Sequence, residues 1–208
     1  MEEGSQRSVD VIESYLGQAF KQLEAVQRSW MSLSKDHSAL DDVFNQLDQR
    51  SSIANTCLDG TNLGSLSDLK ERLMSKIDAH ITQICHDRIW PYLEELEKEV
   101  TMLTRLYERA GGACHDQANG LPKLGVCELE KRTEIRPSLD ELFSWLDEEV
   151  MFCEKDLKRR KELLASFDSS NDRRTMTELR RMWKVPYAVQ QRWAWIRFCT
   201  AAFIEQCG

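Results

Sequence analysis

Proline and glycine are scarce in this chain. Four prolines and nine glycines in 208 residues leave few places where an element must stop, so the elements should be few and long. No stretch alternates apolar and polar residues with the two-residue rhythm of a half-buried strand, which argues against a sheet. No apolar run approaches the roughly 18 residues that a membrane span needs. The opening Met1-Glu2-Glu3-Gly4 is acidic and polar where a secretory leader is basic and then apolar, so a soluble intracellular protein with no membrane contact is expected. Basic residues are outnumbered, 28 Lys and Arg against 35 Asp and Glu. The resulting net charge of −7 is the wrong field for neutralising phosphates, so no direct nucleic-acid contact is expected. Seven cysteines, an odd number without paired spacing, point to reduced thiols rather than a disulfide framework.

Catalytic signatures are missing as well. There is no glycine-rich phosphate loop, no G-x-S-x-G elbow and no H-E-x-x-H helix, so no catalytic residue or cofactor is assigned and the chain is read as a non-enzyme. The nearest approach to a metal set is Cys85-His86 and Cys114-His115, with Cys127 beyond. Adjacent residues offer two corners of a tetrahedron poorly, and no metal is expected. Glu94, Glu95, Glu97 and Glu99 spread around a helix, and Glu94 is an i,i+4 partner of Lys98, which reads as a solvated face rather than an acid pair.

What the chain does have is heptad patterning. One register reads Val9, Leu16, Leu23, Trp30, His37, Phe44; the interleaved one reads Ile12, Ala19, Val26, Leu33, Leu40, Leu47. Such a seam belongs to a helix that packs lengthwise against others, and a continuous one would run roughly 60 Å. His37 is its only clearly polar member, where it either sets register or acts as a pH switch. A polar stretch from Gln49 to Ser67 should end this helix. Asp68 with Glu71 then reads as a capping box opening a second long helix. Its apolar positions Leu69, Leu73, Ile77, Ile81 and Ile84 shift register before Ile89, Leu93, Leu96, Val100, Leu103 and Tyr107. A kink or interruption is expected at Pro91, and a stop at Gly111-Gly112.

Residues 111–137 lose the pattern and are expected to form a flexible linker or loop. Ser138 with Glu141 is a second capping box, opening a helix whose seam is Phe143, Leu146, Val150, Cys153, Leu157, Leu164 and Phe167, with Arg160 on the same seam. Ser169 to Asp172 breaks it. A short helix with Met176, Leu179, Met182 and Trp183 follows, and Pro186 starts a last one carrying Val189, Trp193, Ile196 and Phe203. The expectation is an all-α, elongated helical bundle: a coiled-coil-like long helical hairpin over 1–110, the linker 111–137, and over 138–208 a third long helix and short C-terminal helices packing on the hairpin. The 41% hydrophobic content suffices for a core, and the 30% charged content suits slender helical packing.

Six tryptophans are many for such a bundle. Trp145, Trp183, Trp193 and Trp195 are candidate anchors for another protein, since aromatic rings bury much area at small entropic cost; packing inside a wide last helix is the rival reading. The basic run Lys158, Arg159, Arg160, Lys161 reads either as a nuclear-import signal or as a solvent stripe on its helix.

Two segments carry a family resemblance. Asp68-Leu69-Lys70-Glu71-Arg72-Leu73, and Ser138-Leu139 through Phe143 and Trp145-Leu146 to Leu157-Lys158-Arg159-Arg160-Lys161 and Leu163-Leu164-Ala165-Ser166, resemble the ribosome maturation factors that interact with a type II AAA ATPase. The resemblance implies a non-enzymatic adaptor of the nucleus and cytoplasm. As partners it implies a second small helical protein, the cyclin-dependent-kinase-interacting protein, a type II AAA ATPase hexamer and, indirectly, the large ribosomal subunit precursor. The rival function is a structural coiled-coil subunit of a kinetochore, tethering or replication-associated scaffold.

Overall fold

The computed structural model describes residues 2–55, 64–115, 129–131, 137–167 and 173–207. Among the described residues every regular element is helical: α1 (Glu2–Lys35), α2 (Ser38–Asn55), α3 (Gly64–Ile84), a π-helical turn (Cys85–Ile89), α4 (Trp90–His115), α5 (Leu139–Ala165), α6 (Arg173–Trp183) and α7 (Tyr187–Gln206). The chain divides into two compact units. One takes Met1–Met31, Leu96–Asp156 and Val185–Gly208; the other takes Ser32–Glu95 and Leu157–Lys184.

In the first unit the heptad registers of α1 do what their spacing implies. Ile12, Leu16, Ala19, Leu23, Val26 and Trp30 are all buried, facing a core completed by α4, α5 and α7. Aromatic rings tie the layers together: Phe20 meets Phe203 edge-on with centroids 6.4 Å apart, and Phe152 lies between Trp30 at 6.2 Å and Trp193 at 6.4 Å. The capping box that opens α5 is formed in both directions. Glu141 N–H donates to Ser138 Oγ at 3.1 Å, and Ser138 N–H donates to Glu141 Oε2 at 2.9 Å.

Gly17 sits inside α1, where glycine ordinarily costs helix stability. A Cβ at that position would lie 2.6 Å from Cys207 Cβ, so the end of α7 approaches α1 only because no side chain intervenes. Gly17→Ala is therefore expected to lower stability by about 1 kcal/mol, the overpacking cost exceeding the gain in helix propensity. Urea unfolding checks this, and Cys207→Gly in the same background should restore most of the loss.

The expected single helix from Val9 to Leu47 is two helices, α1 and α2, and the break lies in the second unit. The break falls at Asp36-His37, because Asp36 Oδ1 accepts from both the Ser38 N–H at 3.0 Å and the Ser38 hydroxyl at 2.6 Å, a local alternative to continued helix. Those two bonds hold the Asp36 carboxyl below its usual range. His37 is thus a half-buried residue at a helix junction, not a member of a continuous seam. α2 packs along α3 with Leu40, Val43, Phe44 and Leu47 buried.

α3 begins at Gly64, so Asp68 and Glu71 lie within the helix and do not cap it; Leu69 and Leu73 are exposed, and burial starts at Ile81. The interruption expected near Pro91 is the π-helical turn Cys85–Ile89, in which the Trp90 N–H reaches Cys85 O. Proline has no N–H with which to continue the α ladder, and widening the turn by one residue immediately before it keeps Ile84 and Ile89 on the same buried side. Gly111 and Gly112 do not stop α4, which continues to His115. Most of the 111–137 linker and the break from Ser169 to Asp172 lie outside the described residues.

Candidate functional site

In the first unit, the side chains singled out from the sequence are ordered by one buried carboxylate. Glu149 of α5 is fully buried; its Oε1 accepts from Arg192 Nε at 2.6 Å and its Oε2 from the Trp193 indole N–H at 2.8 Å. With both oxygens engaged, the rotation of α7 is fixed, and Trp193 points inward together with Ile196, Thr200 and Phe203. The opposite side of α7 is left to solvent. Trp195 is 50% exposed, its ring edge-on to Trp145 at 4.7 Å, while Tyr187 is 72% and Phe198 83% exposed. Met151 of α5 and Met102 of α4 are also largely exposed.

Of the four tryptophans expected to anchor a partner, Trp193 and Trp183 are internal and hold the chain itself, Trp145 is half-buried, and Trp195 is exposed. Tyr187 and Phe198 complete the exposed aromatic set and were missed from the sequence. Their signal is there: α7 is apolar on both sides, so its inward face alone did not account for its aromatics.

In the second unit, Trp183 donates its indole N–H to the Asp36 carbonyl at 3.1 Å and lies under the Arg160 guanidinium at 5.8 Å. Arg160 is 2% exposed, and its NH2 group donates to the Met182 carbonyl in the last turn of α6, where a cation is favoured. The basic run is accordingly not one surface. Lys158 and Arg159 face solvent, Arg159 pairing with Glu178; Arg160 is internal; Lys161 is half-buried over the Trp90 ring at 5.9 Å. A polar groove of about 470 Å³ runs between α2 and α3, lined in part by Asp42, Gln46, His80, Asp87 and Arg88. Its charges are engaged locally: Arg88 donates to Asp42 and to Ser38 Oγ, and Asp87 pairs with His86, which holds its carboxyl below the usual range.

The Cys-His pairs do not converge. Cys85 is buried and its thiol is pushed up to about 11 by that burial, while the neighbouring His86 points to solvent. Cys114 is half-buried with its thiol also raised by burial; the side chain of His115, and Cys127, lie outside the described residues. Among the described residues no group of three or more His, Cys, Asp or Glu side chains is arranged to hold a metal ion, and no helix is long and apolar enough to cross a membrane. The carboxylates Glu94, Glu95 and Glu97 are exposed, whereas Glu99 accepts from Ser29 Oγ at 3.0 Å.

A protein-family model described as CA109-like, ribosome biogenesis protein C1orf109-like, matches residues 10–193. No curated protein matches the sequence.

Proposed function

Because the chain belongs to the C1orf109-like ribosome biogenesis protein family, we propose that it serves ribosome maturation as a non-enzymatic adaptor. In this reading it pairs with a second small helical protein and brings a type II AAA ATPase hexamer to the large-subunit precursor, in nucleus and cytoplasm. Nucleotide hydrolysis belongs to the ATPase, and the chain contributes binding alone. The observation that carries the reading, beside the family, is the set of exposed large apolar side chains of the first unit, Tyr187, Trp195, Phe198, Met151 and Met102. Exposed aromatics of this size bury much area in a complex at little cost in side-chain entropy.

The test is affinity purification of the full chain from cells followed by mass spectrometry and by ATPase assays on the eluate. A hexameric AAA ATPase with large-subunit assembly factors is the expected yield, and depletion of the chain should leave those factors on the precursor. Recovery of scaffold or kinetochore subunits instead, with subunit maturation undisturbed, overturns the proposal.

A further inference from the structure

The exposed side of α7 has a regular period. Tyr187, Gln191, Ala194, Phe198, Ala201 and Glu205 follow one another at steps of four, three, four, three and four, and all six are exposed. This is a heptad seam lying half a turn away from the buried one formed by Trp193, Ile196, Thr200 and Phe203. A helix apolar on both sides is ordinarily covered on both sides. The only formal charge on the outer seam is Glu205, at its end.

The outer seam is complementary to itself. Laid antiparallel about a two-fold axis at Ile196, its layers pair Ala194 with Phe198 of a second copy, Gln191 with Ala201, and Tyr187 with Glu205. Each interior layer sets a larger side chain against an alanine, and each end layer sets a phenol hydroxyl against a carboxylate. Gln191 Nε2 already donates to Tyr187 Oη at 2.8 Å, which leaves the phenol's own hydrogen to be given away. A parallel pairing would instead place Phe198 on Phe198 and Glu205 on Glu205, crowding one layer and opposing like charges in another. Trp195 lies beside the axis, where the indoles of two copies would meet, and Arg197 on the opposite flank extends to solvent.

We propose that α7 is a self-association seam through which two copies of this chain dock antiparallel about a two-fold axis at Ile196. A closed two-fold contact of this kind uses the same patch twice and stops at the dimer. One helix pair is a small interface, so the dissociation constant should be on the order of 10 µM. The proposal draws on the same exposed side chains as the adaptor reading, so a partner protein takes this face only by displacing the second copy; the two fail separately, since this one concerns the purified chain alone.

Sedimentation velocity of the full chain over about 1–100 µM, a range that brackets that constant, is the test. A monomer–dimer equilibrium is expected, and Phe198→Glu should weaken it by at least about tenfold by putting a charge into the central layers. Tyr187→Glu should also weaken it, by facing Glu205 of the second copy, and the double variant Y187E/E205K should restore it. These positions are exposed, so circular dichroism should show unchanged helicity. A chain that stays monomeric at the highest concentration overturns the proposal, as does a dimer indifferent to Phe198→Glu. A double variant that fails to recover, or a seam covered only when a different helical protein is added, overturns it equally.

Discussion

Replacing Glu149 by alanine is expected to destabilise the first unit by about 3 kcal/mol, a large share of the 5–15 kcal/mol by which a typical domain is stable. The loss has two sources. The charge-assisted bond from Arg192 disappears, and the indole N–H of Trp193, a residue 1% exposed, is left without an acceptor in a dry environment. Arg192 is half-buried and can recruit water, so the indole is the costlier orphan. Glu149→Gln keeps one carbonyl for Trp193 but turns its amide toward Arg192, and about half of the loss should remain. Urea titration followed by tryptophan fluorescence separates these outcomes, with the midpoint moving and the slope held if the native compactness is retained. An alanine variant with the wild-type midpoint would remove Glu149 from its role as the residue that sets the rotation of α7.

Trp183→Ala is expected to cost the second unit about 3–5 kcal/mol, the range for deleting a large buried aromatic. Trp183, the last residue of α6, is nearly inaccessible and makes two contacts: it gives its N–H to the Asp36 carbonyl where α1 ends and α2 begins, and it underlies the Arg160 guanidinium. Trp183→Phe separates volume from hydrogen bonding. It keeps most of the ring and leaves the Asp36 carbonyl short of a donor, so a loss of about 1–2 kcal/mol is expected. Urea titration of both variants gives the comparison, and equal losses would show that the indole N–H, not the ring, holds the junction.

The parts of the fold legible in the sequence were those fixed by period and by short-range chemistry. From Ile12 to Leu33 the interleaved registers of α1 are buried as their spacing implied, the Ser138-Glu141 box caps α5, Pro186 precedes α7, and the slip from Ile84 to Ile89 is a π turn ahead of Pro91. What could not be read was decided by competition between local bonds and by tertiary contact. Asp36 is helix-compatible by pattern, and only the capture of Ser38 ends α1 there. Gly111-Gly112 permits a stop without imposing one. Asp68 and Glu71 have the spacing of a cap, yet α3 had already started at Gly64. The aromatic residues of the last helix were recognisable as a group, but their division into inside and outside rests on Glu149, more than forty positions away in sequence, and no local rule reports that.

The composition of the first unit has a bearing on how the polypeptide is made. Its pieces include both Met1–Met31 and Val185–Gly208, whereas the second unit draws only on residues between them. During translation the inner unit has all of its chain as soon as Lys184 has emerged, while the leading segment of α1 must wait for the final helix before Phe20 can find Phe203. Until then its heptad face is covered only by α4 and α5 on the nascent chain. This interval is the one in which a chaperone would be needed, and it lengthens with every pause of the ribosome between α5 and α7.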